Sequence, residues 1–102
     1  MTRYLAELYL PRADIGEVRE HAERARTAAD ELTRQGTHVQ YVRALFLGAD
    51  ETCFHLYEAD SAESVLEANR RASIPVERVV EAVDIELTDL RDHQNRKENF
   101  DE

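Results

Sequence analysis

A strand–helix pattern occurs twice in this sequence, and it limits the fold more than any other feature. Residues 3–10, "RYLAELYL", are rich in aromatic and aliphatic side chains and predict a strand that stops at Pro11. Asp14 is placed to cap a helix that follows, and Gly36 is placed to end it. Apolar residues recur on this helix every three or four positions, at Ile15, Val18, Ala22, Ala25, Ala29 and Leu32.

The remainder of the chain begins with a hairpin and then repeats this order. Its predicted elements are a strand at 38–47, a turn at 48–51, a strand at 52–59, a helix between Asp60 and Pro75, and a last strand at 77–87. Asp60 and Glu63 repeat the Asp-x-x-Glu start of the first helix, which is typical of a capped N-terminus. Pro75 prevents the second helix from continuing.

The order strand, helix, strand, strand, helix, strand predicts an α+β domain. Right-handed crossovers place both helices on one face of a four-stranded antiparallel sheet, which is the ferredoxin-like βαββαβ arrangement. This domain spans residues 1–87. Residues 88–102, "TDLRDHQNRKENFDE", have almost no apolar content and predict a charged, mobile tail.

Composition excludes several classes of function. The 102 residues include 13 basic and 22 acidic side chains, and a net charge of −9 repels nucleic acid. No apolar run approaches the ~20 residues that span a bilayer, so no membrane partner is expected. A single cysteine cannot form an internal disulfide, and the N-terminus lacks the apolar region of a signal peptide. We therefore expect a cytoplasmic protein.

The sheet face without helices, called the open face below, is the expected location of function. If Phe54 and Leu56 lie beneath the helices, alternation places Cys53, His55 and Tyr57 on the open face. The neighbouring strands add Leu5, Glu7, Tyr9, Tyr41, Arg43 and Leu45, with Val42, Ala44 and Phe46 beneath the helices. Such an apolar, tyrosine-rich surface predicts a homodimer in which two identical sheet faces pair.

His55 has two interpretations on this face. It can be an interface histidine whose ring bonds to a tyrosine or a carboxylate. Alternatively it lines a ligand pocket together with Glu7, Tyr9, Tyr41, Arg43 and Tyr57. In an enzyme, His55 would act as acid or base, Arg43 would hold an anion, and Tyr41 and Tyr57 would donate hydrogen bonds.

The histidines include two candidate metal ligands. His21 lies one helical turn after Glu17, and such a pair either holds a divalent ion or forms an ordinary solvated face. His55 is the other candidate ligand, so the predicted metal set is Glu17, His21 and His55. No Cys-x-x-Cys or His-x-x-x-His spacing indicates a structural zinc site. Cys53 and His55 are about 7 Å apart by strand rise, too far for a direct thiolate–imidazole pair unless the side chains lean together.

Three phrases of the sequence, "RYLAEL", "FHLYEAD" and "EANRRASIPVERVVEA", resemble a known family. It is a family of small bacterial ferredoxin-like proteins of unknown function that includes a nickel-binding member. The resemblance covers residues 2–87 and implies the same fold, a homodimer, and nickel at the dimer surface. This chain departs from the family pattern at Tyr41 (tryptophan in the family), Arg43 (histidine), His55 (cysteine) and Ala68 (histidine).

These observations leave three hypotheses about function. The first is a dimeric binding protein for nickel or another small ligand, at the open face or the dimer surface. The second is a small cofactor-independent enzyme of the isomerase, cyclase or monooxygenase type, with its pocket on the open face. The third is a protein-interaction or regulatory module. Nickel is the one cofactor implied, and only through the resemblance.

Overall fold

The computed structural model describes residues 1–83, 85 and 87, and its elements follow the predicted order. They are β1 (Thr2–Tyr9), α1 (Ile15–Arg34), β2 (Val39–Leu47), a 3₁₀ turn (Gly48–Asp50), β3 (Thr52–Ala59), α2 (Ala62–Arg71) and β4 (Arg78–Ala82). The strands are antiparallel to their neighbours in the order β2-β3-β1-β4. This confirms the ferredoxin-like prediction. β4 is shorter than the predicted strand at 77–87, and the predicted tail at 88–102 lies outside the described residues.

The ends of α1 lie where the sequence predicts them. The Asp14 carboxylate caps the N-terminus, because its Oδ1 accepts a hydrogen bond of 2.8 Å from the Glu17 backbone N–H. At the other end Gly36 adopts φ 101°, a left-handed conformation that glycine accepts without steric cost. The chain then turns back, so that Thr37 N–H donates to the Leu32 carbonyl at 3.0 Å. This is the Schellman arrangement of a helix that ends at a glycine.

The buried stripe of α1 differs from the predicted one at one functionally important position. Val18, Ala25, Ala29 and Leu32 are buried as expected, and they pack with sheet residues in one core. His21 is also buried, with 8% of its surface exposed, whereas Ile15 is 61% exposed. The interpretation of His21 as part of a solvated face is therefore wrong. The small alanines of the stripe let α1 lie close to the sheet. His21 is enclosed between the helix and the sheet, with its ring beside that of His55.

α2 begins one residue later than predicted. Ser61, and not Asp60, is its N-cap, since the Ser61 hydroxyl accepts a hydrogen bond of 3.3 Å from the Ser64 backbone N–H. The helix buries Val65, Ala68 and Asn69 among its core-facing residues. Within the described ranges, neither helix is long and apolar enough to cross a membrane.

The face assignment of β3 was wrong. Cys53, His55 and Tyr57 each have 0% exposure, and they lie beneath the helices. Cys53 and Tyr57 belong to the core formed with α1 and α2, and the His55 ring lies beside the His21 ring of α1. Both faces of β3 carry side chains that tolerate burial, so alternation alone does not decide which face lies beneath the helices. The more apolar pair, Phe54 and Leu56, lies on the open face and not beneath the helices as the sequence predicts.

A β-bulge in β2 explains a second error. Tyr41 lies opposite Tyr57 in the register and Arg43 lies opposite Leu56, so the pairing shifts between them. An extra residue in a bulge reverses the alternation of the strand. Tyr41 consequently lies beneath the helices, while Arg43 and Leu45 lie on the open face as predicted.

The remaining open-face residues follow from the pairing register. Leu5, Glu7 and Tyr9 of β1 lie there as predicted, because they pair with the alternate residues Leu56, Phe54 and Thr52 of β3. On β4, Val80 pairs with Leu5 and lies on the open face. Val79 packs against the core on the opposite side.

Candidate functional site

The chemically functional side chains that meet in the fold lie beneath α1, and we call them the inner cluster: His21, Tyr41, Cys53, His55 and Tyr57. β3 contributes three of them on alternate positions, β2 contributes Tyr41 and α1 contributes His21. The Tyr41 hydroxyl is 2.8 Å from His55 Nδ1, and Cys53 Sγ is 3.8 Å from His55 Nε2. The ring centroids of His21 and His55 are 6.3 Å apart.

Both ring nitrogens of His55 face a partner, and two proton arrangements satisfy them. When the Tyr41 hydroxyl donates to Nδ1, the hydrogen of His55 is on Nε2 and faces the sulfur of Cys53. In the other tautomer Nδ1–H donates to the phenol oxygen and the thiol faces an unprotonated Nε2. Cys53, His55 and Tyr41 therefore form one chain of exchangeable protons.

Tyr57 extends the cluster towards α2. Its hydroxyl donates to Asn69 Oδ1 at 3.1 Å, and the Asn69 amide donates to the Val65 carbonyl at 2.8 Å. The Tyr41 and Tyr57 rings meet edge to face with centroids 5.3 Å apart. Burial raises the pKa of both phenols, so they remain protonated donors at neutral pH.

His21 lies on α1 at the edge of this cluster. Its Nδ1 is buried, and no described group lies within hydrogen-bonding distance of it. Burial lowers the pKa of His21 and the neighbouring Arg24 lowers it further, while Glu17 and Glu20 act in the opposite direction. A buried polar nitrogen without a partner is uncommon, and its usual explanation is an absent water, ion or ligand.

The cluster is uncharged at neutral pH. Burial, together with the nearby His21, lowers the pKa of His55 to about 4. Burial raises the pKa of the Cys53 thiol to about 11. The site thus holds two neutral imidazoles, which can each offer a lone pair, and a thiol that must lose a proton before it can bind a metal or attack an electrophile.

The sheet divides the predicted ligand set in two. Tyr41, His55 and Tyr57 come together in the inner cluster, whereas Glu7, Tyr9 and Arg43 lie on the open face. Glu7 there accepts a hydrogen bond of 2.6 Å from Arg78 Nε, and the Tyr9 hydroxyl donates to Glu51 at 2.9 Å. A single pocket lined by all six side chains is therefore excluded, and the predicted catalytic set of His55, Arg43, Tyr41 and Tyr57 is divided in the same way.

Of the predicted metal set, His21 and His55 are neighbours, while Glu17 is exposed one turn before His21 on α1. Among the residues that the structure describes, no three histidine, cysteine, aspartate or glutamate side chains converge closely enough to hold an ion. Sequence reasoning missed the burial of His21, although its spacing from Val18 and Ala25 matches the helical period of the core stripe.

Comparison with solved structures gives a match in the crystal structure of SCO4226 from Streptomyces coelicolor A3(2). The TM-score is 0.61 at 18% sequence identity, over 78% of this chain and 94% of the other, which establishes a common fold. No curated protein matches the sequence. Residues 4–82 match the family model described as "Nickel responsive protein SCO4226-like". The chain therefore belongs to the SCO4226-like family, and the resemblance seen in its sequence is confirmed.

Proposed function

We propose that this protein binds a divalent transition-metal ion, with nickel as the first candidate, through His21, His55 and Cys53 of the inner cluster. The family is described as nickel responsive, which supports this choice of ion. Imidazole and thiolate groups are ligands that such ions prefer over the oxygen ligands of magnesium or calcium. Since both imidazoles are neutral near pH 7, their lone pairs need no prior deprotonation.

The observation that carries the proposal is the unpartnered Nδ1 of His21. It lies buried on the helix that covers Cys53 and His55, and a ligand or ion would give it the partner that it lacks. His55, in contrast, would have to exchange one of its two present partners. His21 is therefore the residue whose removal should affect binding most without disturbing the hydrogen bonds of the core.

The donors fit nickel in chemical type but do not form a closed coordination sphere in the described residues. Binding thus requires the side chains to move towards one another, and we expect this reorganisation to limit the affinity. Cys53 must also lose its proton to act as a thiolate, so binding should release a proton and should strengthen as the pH rises.

Isothermal titration calorimetry with nickel chloride, on protein cleared of metal with a chelator, tests the proposal. We expect wild-type protein to bind, and His21→Ala to bind at least about tenfold more weakly. The matched control is His38→Ala, because His38 Nε2 is also buried without a described partner but lies immediately before β2, outside the inner cluster. Wild-type protein that shows no binding, or equal losses in the two variants, would contradict the proposal.

Two further measurements identify the ligands. Cys53→Ser should abolish both the thiolate-to-nickel absorption band and the proton release, which is measured by calorimetry in two buffers of different ionisation enthalpy. His93→Ala tests the histidine that lies outside the described residues. If that variant loses binding while His21→Ala retains it, the ion is held elsewhere and the assignment to the inner cluster is wrong.

A catalytic role draws less support from the cluster. A nucleophilic cysteine needs a lowered pKa and access to substrate, whereas Cys53 has a pKa of about 11 and 0% exposure. His55 is equally buried, and its pKa of about 4 is far below the range that suits a base near neutral pH. Arg43, the predicted anion clamp, is on the other side of the sheet.

A further inference from the structure

The three proposed ligands of the inner cluster differ in how close they lie to solvent. Cys53 and His55 are fully buried, whereas His21 keeps 8% of its surface exposed. His21 is also the ligand whose Nδ1 has no partner among the described residues. An ion that arrives from solvent therefore meets the α1 side of the cluster first, and the charges around His21 decide how readily it arrives.

Glu17 places an unpaired negative charge beside this imidazole. It lies four residues before His21 on α1, a spacing that brings two side chains onto the same helix face. Glu17 is exposed, and within the described part of the chain its carboxylate has neither an ion pair nor a hydrogen bond. The Asp14 carboxylate, which caps the helix, offsets the partial positive charge of the helix N-terminus. The surface before His21 consequently attracts a cation.

Arg24 places a fixed positive charge on the other side of His21. It lies three residues after His21, and its side chain joins α1 to the end of α2. Its Nε donates to the Ala72 carbonyl at 2.9 Å and its Nη2 donates to the Ser73 carbonyl at 3.4 Å. Glu20 Oε1 lies 3.8 Å from Arg24 Nη1, so the charge of Glu20 is largely offset by this arginine. The charge of Arg24 reaches the imidazole, because after burial it is the next cause that lowers the pKa of His21.

We infer that a nickel ion reaches the inner cluster past Glu17, which is its first contact on α1, and that Arg24 lowers the rate of its arrival. The inference rests on the proposed function, because it concerns how an ion arrives at the ligands assigned there. Glu17 is not a ligand of the bound ion, since it is exposed while Cys53 and His55 are buried on the sheet. It acts on approach, and this role differs from the predicted metal set, in which Glu17 holds the ion permanently.

The two roles of Glu17 have different kinetic signatures. A charge at the approach to a site changes the association rate and its salt dependence, whereas a ligand of the bound ion also changes the dissociation rate. Screening distinguishes them further, because the Debye length falls from about 30 Å in 10 mM salt to about 3 Å in 1 M salt. The effect of Glu17 on approach should therefore be large in dilute salt and absent in concentrated salt.

Stopped-flow mixing of metal-free protein with nickel chloride tests the inference, with a chromophoric chelator that reports the free ion. Glu17→Gln removes the charge of an exposed side chain, so the fold is retained. Glu23→Gln is the matched control, because Glu23 is an exposed glutamate of the same helix but lies two residues after His21, on a different helix face. Arg24→Gln gives a change of the opposite sign. Circular dichroism and urea denaturation verify the fold of that variant, because it also loses the bonds to α2.

In about 10 mM salt we expect association to be about three- to tenfold slower in Glu17→Gln, several-fold faster in Arg24→Gln, and within about twofold of wild type in Glu23→Gln. In about 1 M salt all four rates should agree, and the dissociation rates should be the same throughout. Equal association rates in Glu17→Gln and Glu23→Gln, or an Arg24→Gln variant no faster than wild type, would overturn the inference and leave the proposed function intact. A Glu17→Gln variant that dissociates faster at both salt concentrations would make Glu17 a permanent ligand and would also overturn it. Wild-type protein that binds no nickel would instead contradict the proposed function, and the inference would fall with it.

Discussion

The Tyr41 hydroxyl lies 2.8 Å from His55 Nδ1, on the side of the sheet that the helices cover. This contact explains how a histidine can be completely buried at the centre of β3, because the phenol satisfies one ring nitrogen while the Cys53 sulfur faces the other. It also explains why Tyr41 is on the inner side at all. The bulge that follows it separates its face from that of Arg43.

Removal of the Tyr41 hydroxyl should destabilise the protein measurably. In Tyr41→Phe the His55 Nδ1 loses its partner in a buried position, which costs about 1–3 kcal/mol of unfolding free energy. Tyr9→Phe is the matched control, because the Tyr9 hydroxyl bonds to Glu51 at 2.9 Å but the pair is exposed, so water replaces the bond at little cost. Urea denaturation measures both changes. Equal losses in the two variants would show that the Tyr41–His55 bond has no special energetic role.

The elements of the fold could be predicted because helix-capping and helix-breaking residues are local signals. Asp14, Gly36 and Pro75 stand at or close to helix ends, where capping, a left-handed turn or a missing N–H restricts the backbone. These effects depend on a few neighbouring residues and not on the tertiary structure. The order of strands and helices then leaves few topologies.

The composition of the site could be predicted only in part, because it depends on which side of β3 faces the helices. Phe54 and Leu56 are as suited to a core as Cys53, His55 and Tyr57, so the pattern does not decide between the two faces. The tertiary partners decide it, since Asn69 of α2 accepts from Tyr57 and Tyr41 of β2 satisfies His55. A bulge of one residue in β2 has no sequence signal that would have revealed it.

The stability of the metal-free protein should fall as the pH is lowered from about 7.5 to 5. The unfolded chain binds a proton at His55 with the ordinary pKa of 6.5, whereas burial and the nearby His21 lower this pKa to about 4 in the folded protein. Between these values the unfolded state binds more protons, so the free energy of unfolding decreases as the pH falls. Between pH 7.5 and pH 5 the loss of unfolding free energy that comes from His55 is about 2 kcal/mol. The loss stops below pH 4, because His55 is then protonated in both the folded and the unfolded state.

Two measurements test whether the loss of stability at low pH comes from the His55 imidazole. His55→Gln should remove the share of the pH dependence that comes from His55 in urea denaturation and leave the share of His21, whose pKa burial also lowers. The ring signals of His55 in the NMR spectrum of the wild-type protein should show no protonation above about pH 5. Measurements above pH 5 avoid the separate loss from Glu67, whose pKa Arg70 and Arg71 lower to about 2. An imidazole that titrates near pH 6.5 would mean that His55 is accessible to solvent.

The Cys53 thiol should react very slowly in the folded protein. Burial raises its pKa to about 11, so the thiolate fraction at pH 8 is about a hundredfold below that of an ordinary thiol, and the side chain has 0% exposure. We expect modification by a disulfide reagent to be at least about a hundredfold slower than in urea-unfolded protein. Cys53 is the single cysteine of the sequence, which makes the signal unambiguous. A fast reaction in the folded state would restore the case for a catalytic thiol.

Salt should strengthen the homodimer that the sequence predicts, in which two open faces pair. Each chain carries a net charge of −9, while the open face itself holds arginines and glutamates in near balance. The dominant electrostatic effect on pairing is therefore repulsion between the acidic remainders of the two subunits, and the Debye length shrinks from about 30 Å in 10 mM salt to about 10 Å in 100 mM. Sedimentation at both salt concentrations should show a dissociation constant several-fold smaller at the higher one. A constant that increases with salt would instead indicate that ion pairs between subunits, with Arg43 as their first candidate, hold the interface together.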